Sequence, residues 1–300
     1  MRARWRLAIG VFFCMAVQLA TAGGSPFLWR VTPANGRPSY LFGSIHIPTP
    51  VVTNLAPSVE QAFQSSDAVY CELPFDAETI MRVTQGAMNA QRPLSQALPA
   101  DLYTRAEREM GRLVPGFKLA ALDHAEIWLV MSELVVLDYQ LKYPGVPPLD
   151  LLMYQRAQGC GKEVGGIETA QEQLDAMNAF SADEQVEMLR AMLDEMQDLR
   201  KKGQDAVRLL LDAYVSGDVD QVDREVNRSY ESCSPALKKR FEELLLTSRN
   251  HRMADRIAQK IRSKPDKSTL FVVGALHGLG PGSVVDLLGQ AGFRVERVQP

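Results

Sequence analysis

Apolar residues follow two rhythms along this chain. Short runs rich in β-branched and aromatic residues occur at 26–32 (PFLWRVT), 39–47 (SYLFGSIHI), 67–74 (DAVYCELP), 162–169 (KEVGGIET), 269–277 (TLFVVGALH) and 293–298 (FRVERV), and each predicts a strand. The first two are separated by PANGRP, whose Asn35-Gly36 pair suits a hairpin turn. Apolar positions at three-and-four spacing predict helices at 101–111, 119–142, 149–158, 170–179, 182–201, 204–215, 218–230, 235–262 and 283–290. Strands crowded toward both ends predict an α/β or α+β fold, a central mixed sheet built from the N- and C-terminal segments and covered by the helices of residues 76–262. The terminal strands are then neighbours in space. The segment KYPGVPPLD at 142–150 reads as a loop inside the domain, because the strand at 162–169 still belongs to the same sheet, so residues 23–300 are expected to form a single domain.

The start of the chain departs from this pattern. Met1-Arg-Ala-Arg-Trp-Arg6, an apolar run from Leu7 to Ala20 and the Ala20-Thr21-Ala22 triplet have the order of an export signal, with cleavage expected near Ala22. The run falls short of the ~20 residues that span a bilayer, and no second run reaches that length, so a mature chain without a membrane span, periplasmic or secreted, is expected. Removing residues 1–22 leaves 30 basic against 36 acidic residues, a net charge of −6, which argues against nucleic acid as a partner. Three cysteines remain, allowing at most one disulfide, for which Cys160 and Cys233 are the favoured pair. Cys71, inside an apolar run, reads as a buried inert thiol. Nothing in the pattern signals an oligomeric state.

Chemistry concentrates where the strands end. Two apolar runs, more than two hundred residues apart, finish in the same Gly-x-x-His phrase, at Gly43 with His46 and at Gly274 with His277. A histidine at the carboxyl end of a buried strand points into the crevice where such sheets bind ligands, and a glycine leaves room for close approach. Either motif alone is better read as a strand-end histidine bonded to backbone, but two copies among four histidines favour a shared site. Glu72 ends a third strand, and a carboxylate there needs solvent, a cation or a metal. His46, Glu72 and His277 together suit a divalent metal, with zinc, manganese, cobalt and iron all chemically open. Glu168 ends the fourth strand, where a general base and a helix cap or salt bridge are equally good readings. Arg249 and Asn250 share a helix whose apolar face is Leu245, Met253 and Ile257, and Arg249 has the chemistry to bind a carboxylate or oxyanion. His124 and His251 fall inside helical patterns and read as structural or solvated. The chain has no phosphate-binding Walker loop, no G-x-S-x-G elbow, no His-Glu-x-x-His helix and no C-x-x-C pair.

FLWRVT, SYLFGSIHIP, DAVYCELP, KEVGGIET, LTSRNHRMADRI and FVVGALHGLGPGSVVDLLGQAGFRVERV, in this order, resemble the TraB/GumN family, which includes the TIKI metalloproteases. The likeness runs from about residue 27 to the C-terminus, with little contributed by 76–148. The resemblance implies a metal-dependent hydrolase, peptidase-like, using manganese or cobalt on a peptide or protein substrate. Carried over by position, the family's motifs fall on Gly43 and His46, Glu72, Glu168, Arg249 and Asn250, and Gly274 and His277. The expected reading is therefore a hydrolase with His46, Glu72 and His277 as metal ligands, Glu168 as base and Arg249 steadying the oxyanion. Its rivals are a sequestering protein that binds a peptide, haem or iron, and a metal-free esterase.

Overall fold

The computed structural model describes residues 26–88 and 90–299, so the expected export signal lies outside the described residues. Six strands, β1 Leu28–Thr32, β2 Ser39–Ser44, β3 Ala68–Cys71, β4 Glu163–Gly166, β5 Thr269–Gly274 and β6 Arg294–Arg297, form one sheet in the order β4-β3-β5-β2-β1-β6. The four strands β4, β3, β5 and β2 run parallel, whereas β1 is antiparallel to both β2 and β6. This is the mixed sheet of an α/β fold, and the N- and C-terminal strands meet in it directly. In the β1–β2 connection Gly36 takes φ +119°, a conformation that favours glycine.

Strand β5 sits in the middle and is apolar on both sides, as a parallel strand covered on two faces must be. Its Leu270, Phe271, Val272 and Val273 are fully buried. Phe271 and Val273 pack with Met253, Ile257 and Ile261 of helix Ser248–Ser263, while Leu270 and Val272 pack with Met153 and Ala157 of helix Leu149–Gly159 on the opposite face. A separate apolar cluster, including Leu102, Leu119, Leu134, Leu189 and Leu237, joins the helices that stand off the sheet. Helices Ala170–Asn178 and Ala182–Lys201 open with reciprocal caps, Thr169 with Glu172 and Ser181 with Glu184, so their starts follow directly from sequence.

The structure departs from the expected elements in four places. Short helices at Pro50–Thr53, Pro57–Ser65 and Leu94–Ala97 and a longer one at Ala77–Ala87 have weak periodicity in sequence. The stretch 119–142 is broken into a 3-10 turn Leu119–Leu122 and a helix Ile127–Lys142, because the Asp123 carboxylate turns away to accept from the amide and hydroxyl of Ser95. The stretch 235–262 is three pieces, helix Pro235–Phe241, a π-helix Glu242–Thr247 and helix Ser248–Ser263. Finally, the Cys160–Cys233 disulfide does not form: Cys71, Cys160 and Cys233 are all free, with Cys160 exposed beside β4 and Cys233 buried in the helical cluster off the sheet. Among the described residues no helix is long and apolar enough to cross a membrane.

Gly43 shows how tightly the terminal segments mesh. A β-carbon there would lie 2.9 Å from both Ala275 Cα and Phe27 Cβ. Gly43→Val is therefore expected to destabilise the protein by roughly 1–3 kcal/mol in urea denaturation, since backbone and not a flexible side chain must yield. An unchanged midpoint would show that this contact relaxes freely.

Candidate active site

Parallel pairing aligns the carboxyl ends of four strands, and each delivers a functional residue just past its last ladder position. His46 follows β2, Glu72 follows β3, Glu168 follows β4, and His277 lies three residues beyond β5 in a 3-10 turn Ala275–Gly278. Arg249 and Asn250 enter from the first turn of helix Ser248–Ser263, directly after the π-helix. The candidate residues read from sequence are thus brought to one edge of the sheet, the edge where open α/β sheets hold ligands.

The histidines are oriented through their Nδ1 atoms. His277 Nδ1 lies 2.6 Å from Asn250 Oδ1, and Asn250 Nδ2 donates to the Gly282 carbonyl at 3.0 Å. That second bond sets the amide so that its oxygen faces the ring, which requires the proton on Nδ1 and leaves His277 Nε2, 3.7 Å from Glu72 Oε1, as the unprotonated nitrogen. His46 Nδ1 pairs with Asp150 Oδ2 at 3.0 Å. Glu72 accepts from the Gly274 amide at Oε1 (2.6 Å), and from Arg249 (2.7 Å) and Gln173 (3.1 Å) at Oε2.

These surroundings separate the two imidazoles. Burial, outweighing the pull of Glu72, lowers His277 to about 4, so it is neutral near pH 7. The Asp150 carboxylate raises His46 to about 9 against the opposing cost of desolvation, so it is an imidazolium at the same pH. Burial alone would raise Glu72, but Arg249, His277, His46 and the Gly274 amide together hold it well below the usual carboxylate range.

Glu168 makes the salt bridge that was one of its two readings. Its side chain is fully buried, Oε1 accepts from Arg252 (2.6 Å) and Oε2 from Arg249 (2.6 Å) and Gln173 (3.2 Å). Both oxygens are bonded to guanidinium groups, and through them it holds Arg249 in place. Arg249 NH2 bridges Glu168 and Glu72, while NH1 makes a long 3.5 Å bond to the Leu245 carbonyl. His46, Glu72, Arg249 and His277 line one cleft of about 240 Å³. A larger cleft of about 900 Å³, bordered by Arg82, Glu126 and Phe180, is lined by no histidine.

Sequence reasoning passed over Asp150, Gln173 and Arg252. Asp150 sits in the first turn of helix Leu149–Gly159, where the Pro-Pro-Leu-Asp phrase marked only a loop ending. Arg252 follows Arg249 at the three-residue spacing that puts both on one helix face, a signal that was present in the sequence.

Two Nε2 atoms with their Nδ1 partners fixed, beside a carboxylate oxygen, have the chemistry and outer support of a metal site. Gly274 leaves a cradle among them: a β-carbon there would stand 3.3 Å from Glu72 Oε1, 3.6 Å from the His277 ring and 3.8 Å from His46 Nε2. Among the described residues no group of three or more His, Cys, Asp or Glu side chains is drawn together as a finished coordination set. The donors fit in kind.

An α/β protein with a mixed sheet, and with paired histidines and a glutamate at the ends of its parallel strands, is the class these features define. The sequence profile of the TraB/PrgY/gumN family matches residues 27–297, and the chain belongs to that family. It is 29% identical to metalloprotease TIKI2 of Danio rerio over 317 residues, covering 91% of this chain and 61% of that protein. It is 29% identical to the metalloprotease TIKI homolog of Nematostella vectensis over 324 residues (91% and 67%), and 27% identical to metalloprotease TIKI1 of Homo sapiens over 311 residues (90% and 61%). The chain thus spans about three fifths to two thirds of the length of these curated relatives. No solved structure matches it.

Two outcomes follow from the geometry. Glu168→Gln is expected to cost about 3–5 kcal/mol of unfolding free energy, because it leaves two guanidinium groups short of their buried counter-charge; a loss below 1 kcal/mol would mean that solvent already screens them. With a chelator present, stability is expected to peak near pH 6.5. Toward acid, the unfolded chain protonates His277 below about 6.5 while the folded chain resists until about 4, so stability falls over that window. Toward alkali, the proton on His46 is lost from the folded chain near 9, so its contribution disappears between about 6.5 and 9. The alkaline limb is the shallower, since the His46 side chain is 55% exposed. His277→Gln should flatten the acid limb and Asp150→Asn the alkaline one in pH-dependent denaturation.

Proposed function

We propose that this protein is an exported, divalent-metal-dependent hydrolase that cleaves peptides, with His46, Glu72 and His277 as the metal ligands. The observation that carries the reading is the matched support of the two imidazoles: each has Nδ1 tied to an oxygen, by Asp150 or Asn250, while Glu72 lies beside the cradle left open by Gly274. The names of the relatives, all metalloproteases, support the same class of reaction. Manganese and cobalt are the proposed ions.

When bound, the cation supplies Lewis acidity and lowers the pKa of coordinated water toward neutrality. The chain's own groups do the rest. His46 would hold the ion through Nε2, freed of its proton, while its Nδ1–H donates to the Asp150 carboxylate, which holds the ring in place. Asn250 holds His277 in the tautomer that presents Nε2. Arg249, fixed by Glu168 and Glu72, lines the cleft, where its charge would steady negative charge developing on a substrate carbonyl oxygen. Arg252 and Gln173 fix Glu168 in turn.

Titrating manganese or cobalt into the chelated protein at pH 7.5 in buffers of different ionisation enthalpy should show one ion bound and about one proton released, the proton of His46. His46→Ala and His277→Ala should each bind no ion and lose activity on peptides by at least a hundredfold. Full occupancy in either variant would falsify the ligand assignment, and binding without proton release would move the ion away from His46.

A further inference from the structure

The cleft that holds the polar groups has an aliphatic side. Leu210 on helix Ala206–Ser216, Val222 and Val226 on helix Val219–Ser229, Phe241 at the end of helix Pro235–Phe241, and Leu245 and Leu246 of the π-helix line it. Leu245 and Leu246 are adjacent in sequence, and both border the cleft from the π-helix. Five of the six are half-buried and only Val222 is sealed, so the wall is open to what enters. The Tyr214 hydroxyl, from a residue that also lines the cleft, donates to the Gly43 carbonyl at 2.7 Å.

We propose that this wall is a side-chain subsite, selecting peptides that carry one large aliphatic or aromatic residue next to the bond presented to His46, Glu72 and His277. The inference rests on the hydrolase reading above and names its substrate class. Three observations lead to it. The wall and the polar floor are parts of one cleft, so whatever occupies the wall is in reach of the chemistry. The cleft, at about 240 Å³, is smaller than the ~300–1,000 Å³ of typical small-molecule sites, which suits one side chain better than a whole ligand. The wall offers no free hydrogen-bonding group, so a polar or charged side chain would be desolvated there without a partner.

The test uses the mature chain with its metal chelated, so that peptides bind without being cut. End-capped alanine peptides carrying a single Leu, Phe, Asn or Asp are measured by competition against a fluorescent Leu peptide. Leu and Phe peptides are expected to bind roughly ten- to a hundredfold more tightly than Asn and Asp peptides. Leu246→Glu should abolish that preference, and Val226→Phe, which fills the wall, should weaken Phe at least tenfold while sparing Leu more. Both positions are half-buried, and unchanged thermal midpoints show that each variant is folded. Equal binding of all four peptides, or a preference that survives both substitutions, overturns the subsite. Metal binding and cleavage without any side-chain preference also overturn it while leaving the hydrolase intact. An apolar preference sensitive to Leu246→Glu, in a protein that neither binds metal nor cuts, supports the subsite and removes the hydrolase.

Discussion

Everything at this edge of the sheet depends on the Arg249 guanidinium. Parallel strands put Glu72 and Glu168 side by side at their carboxyl ends, both almost sealed from water, and two such carboxylates would repel each other and forfeit hydration. Arg249 NH2 reaches both, at 2.7 and 2.6 Å, and converts the repulsion into a bridge. The bridge fixes the helix that carries Arg249 against the sheet, which in turn fixes Asn250 one residue on and, through it, the His277 ring. Arg252 and Arg256 extend the ladder to Glu172, the residue that also caps helix Ala170–Asn178. Such buried ion pairs add little net stability against an apolar alternative; what they supply here is a single permitted arrangement of charged groups.

The repeated Gly-x-x-His phrase shows one local pattern put to two uses. Gly43 is required by packing, since backbone and Phe27 crowd its missing β-carbon, whereas Gly274 keeps space open among Glu72, His46 and His277. The histidines diverge likewise. His277 is buried, neutral and held by an amide; His46 is half-exposed, charged and held by a carboxylate. Burial leaves the His277 ring uncharged, while the Asp150 carboxylate holds a proton on the more exposed His46, so the difference follows from depth and from Asp150.

Much of this was legible in the chain. Period-two and continuous apolar runs placed all six strands, and the shared strand-end pattern singled out His46, Glu72, Glu168 and His277 before any contact was known. What was hidden depends on partners distant in sequence. Asp150 lies 104 residues from the ring it holds, in a helix start that looked like a loop ending. Sequence left Glu168 open between a base and a salt bridge because its partners, Arg249 and Arg252, lie more than eighty residues away, one on each carboxylate oxygen. The π-helix was invisible because apolar spacing through 241–253 is compatible with an unbroken helix. The cysteine pairing was argued from number alone, and the fold puts Cys160 and Cys233 in different layers.

The balance of charge explains why the site tolerates so many buried ions and what occupation by a cation would change. The carboxylates of Glu72, Glu168 and Glu172 are matched one for one by Arg249, Arg252 and Arg256, and Asp150 is matched only while His46 keeps its proton. The resting cluster is therefore neutral. Exchanging that proton for a dication, as the proposed function requires, leaves one positive charge in excess, concentrated at the cradle beside Gly274 and walled on one side by hydrocarbon. In such a low-dielectric cleft the excess is felt most strongly by an oxygen that gains negative charge during reaction, and far less by a neutral ground-state carbonyl. The same arithmetic weighs Glu168: with it, the arginine ladder is balanced by carboxylates; without it, the excess beside the cleft would be two charges instead of one.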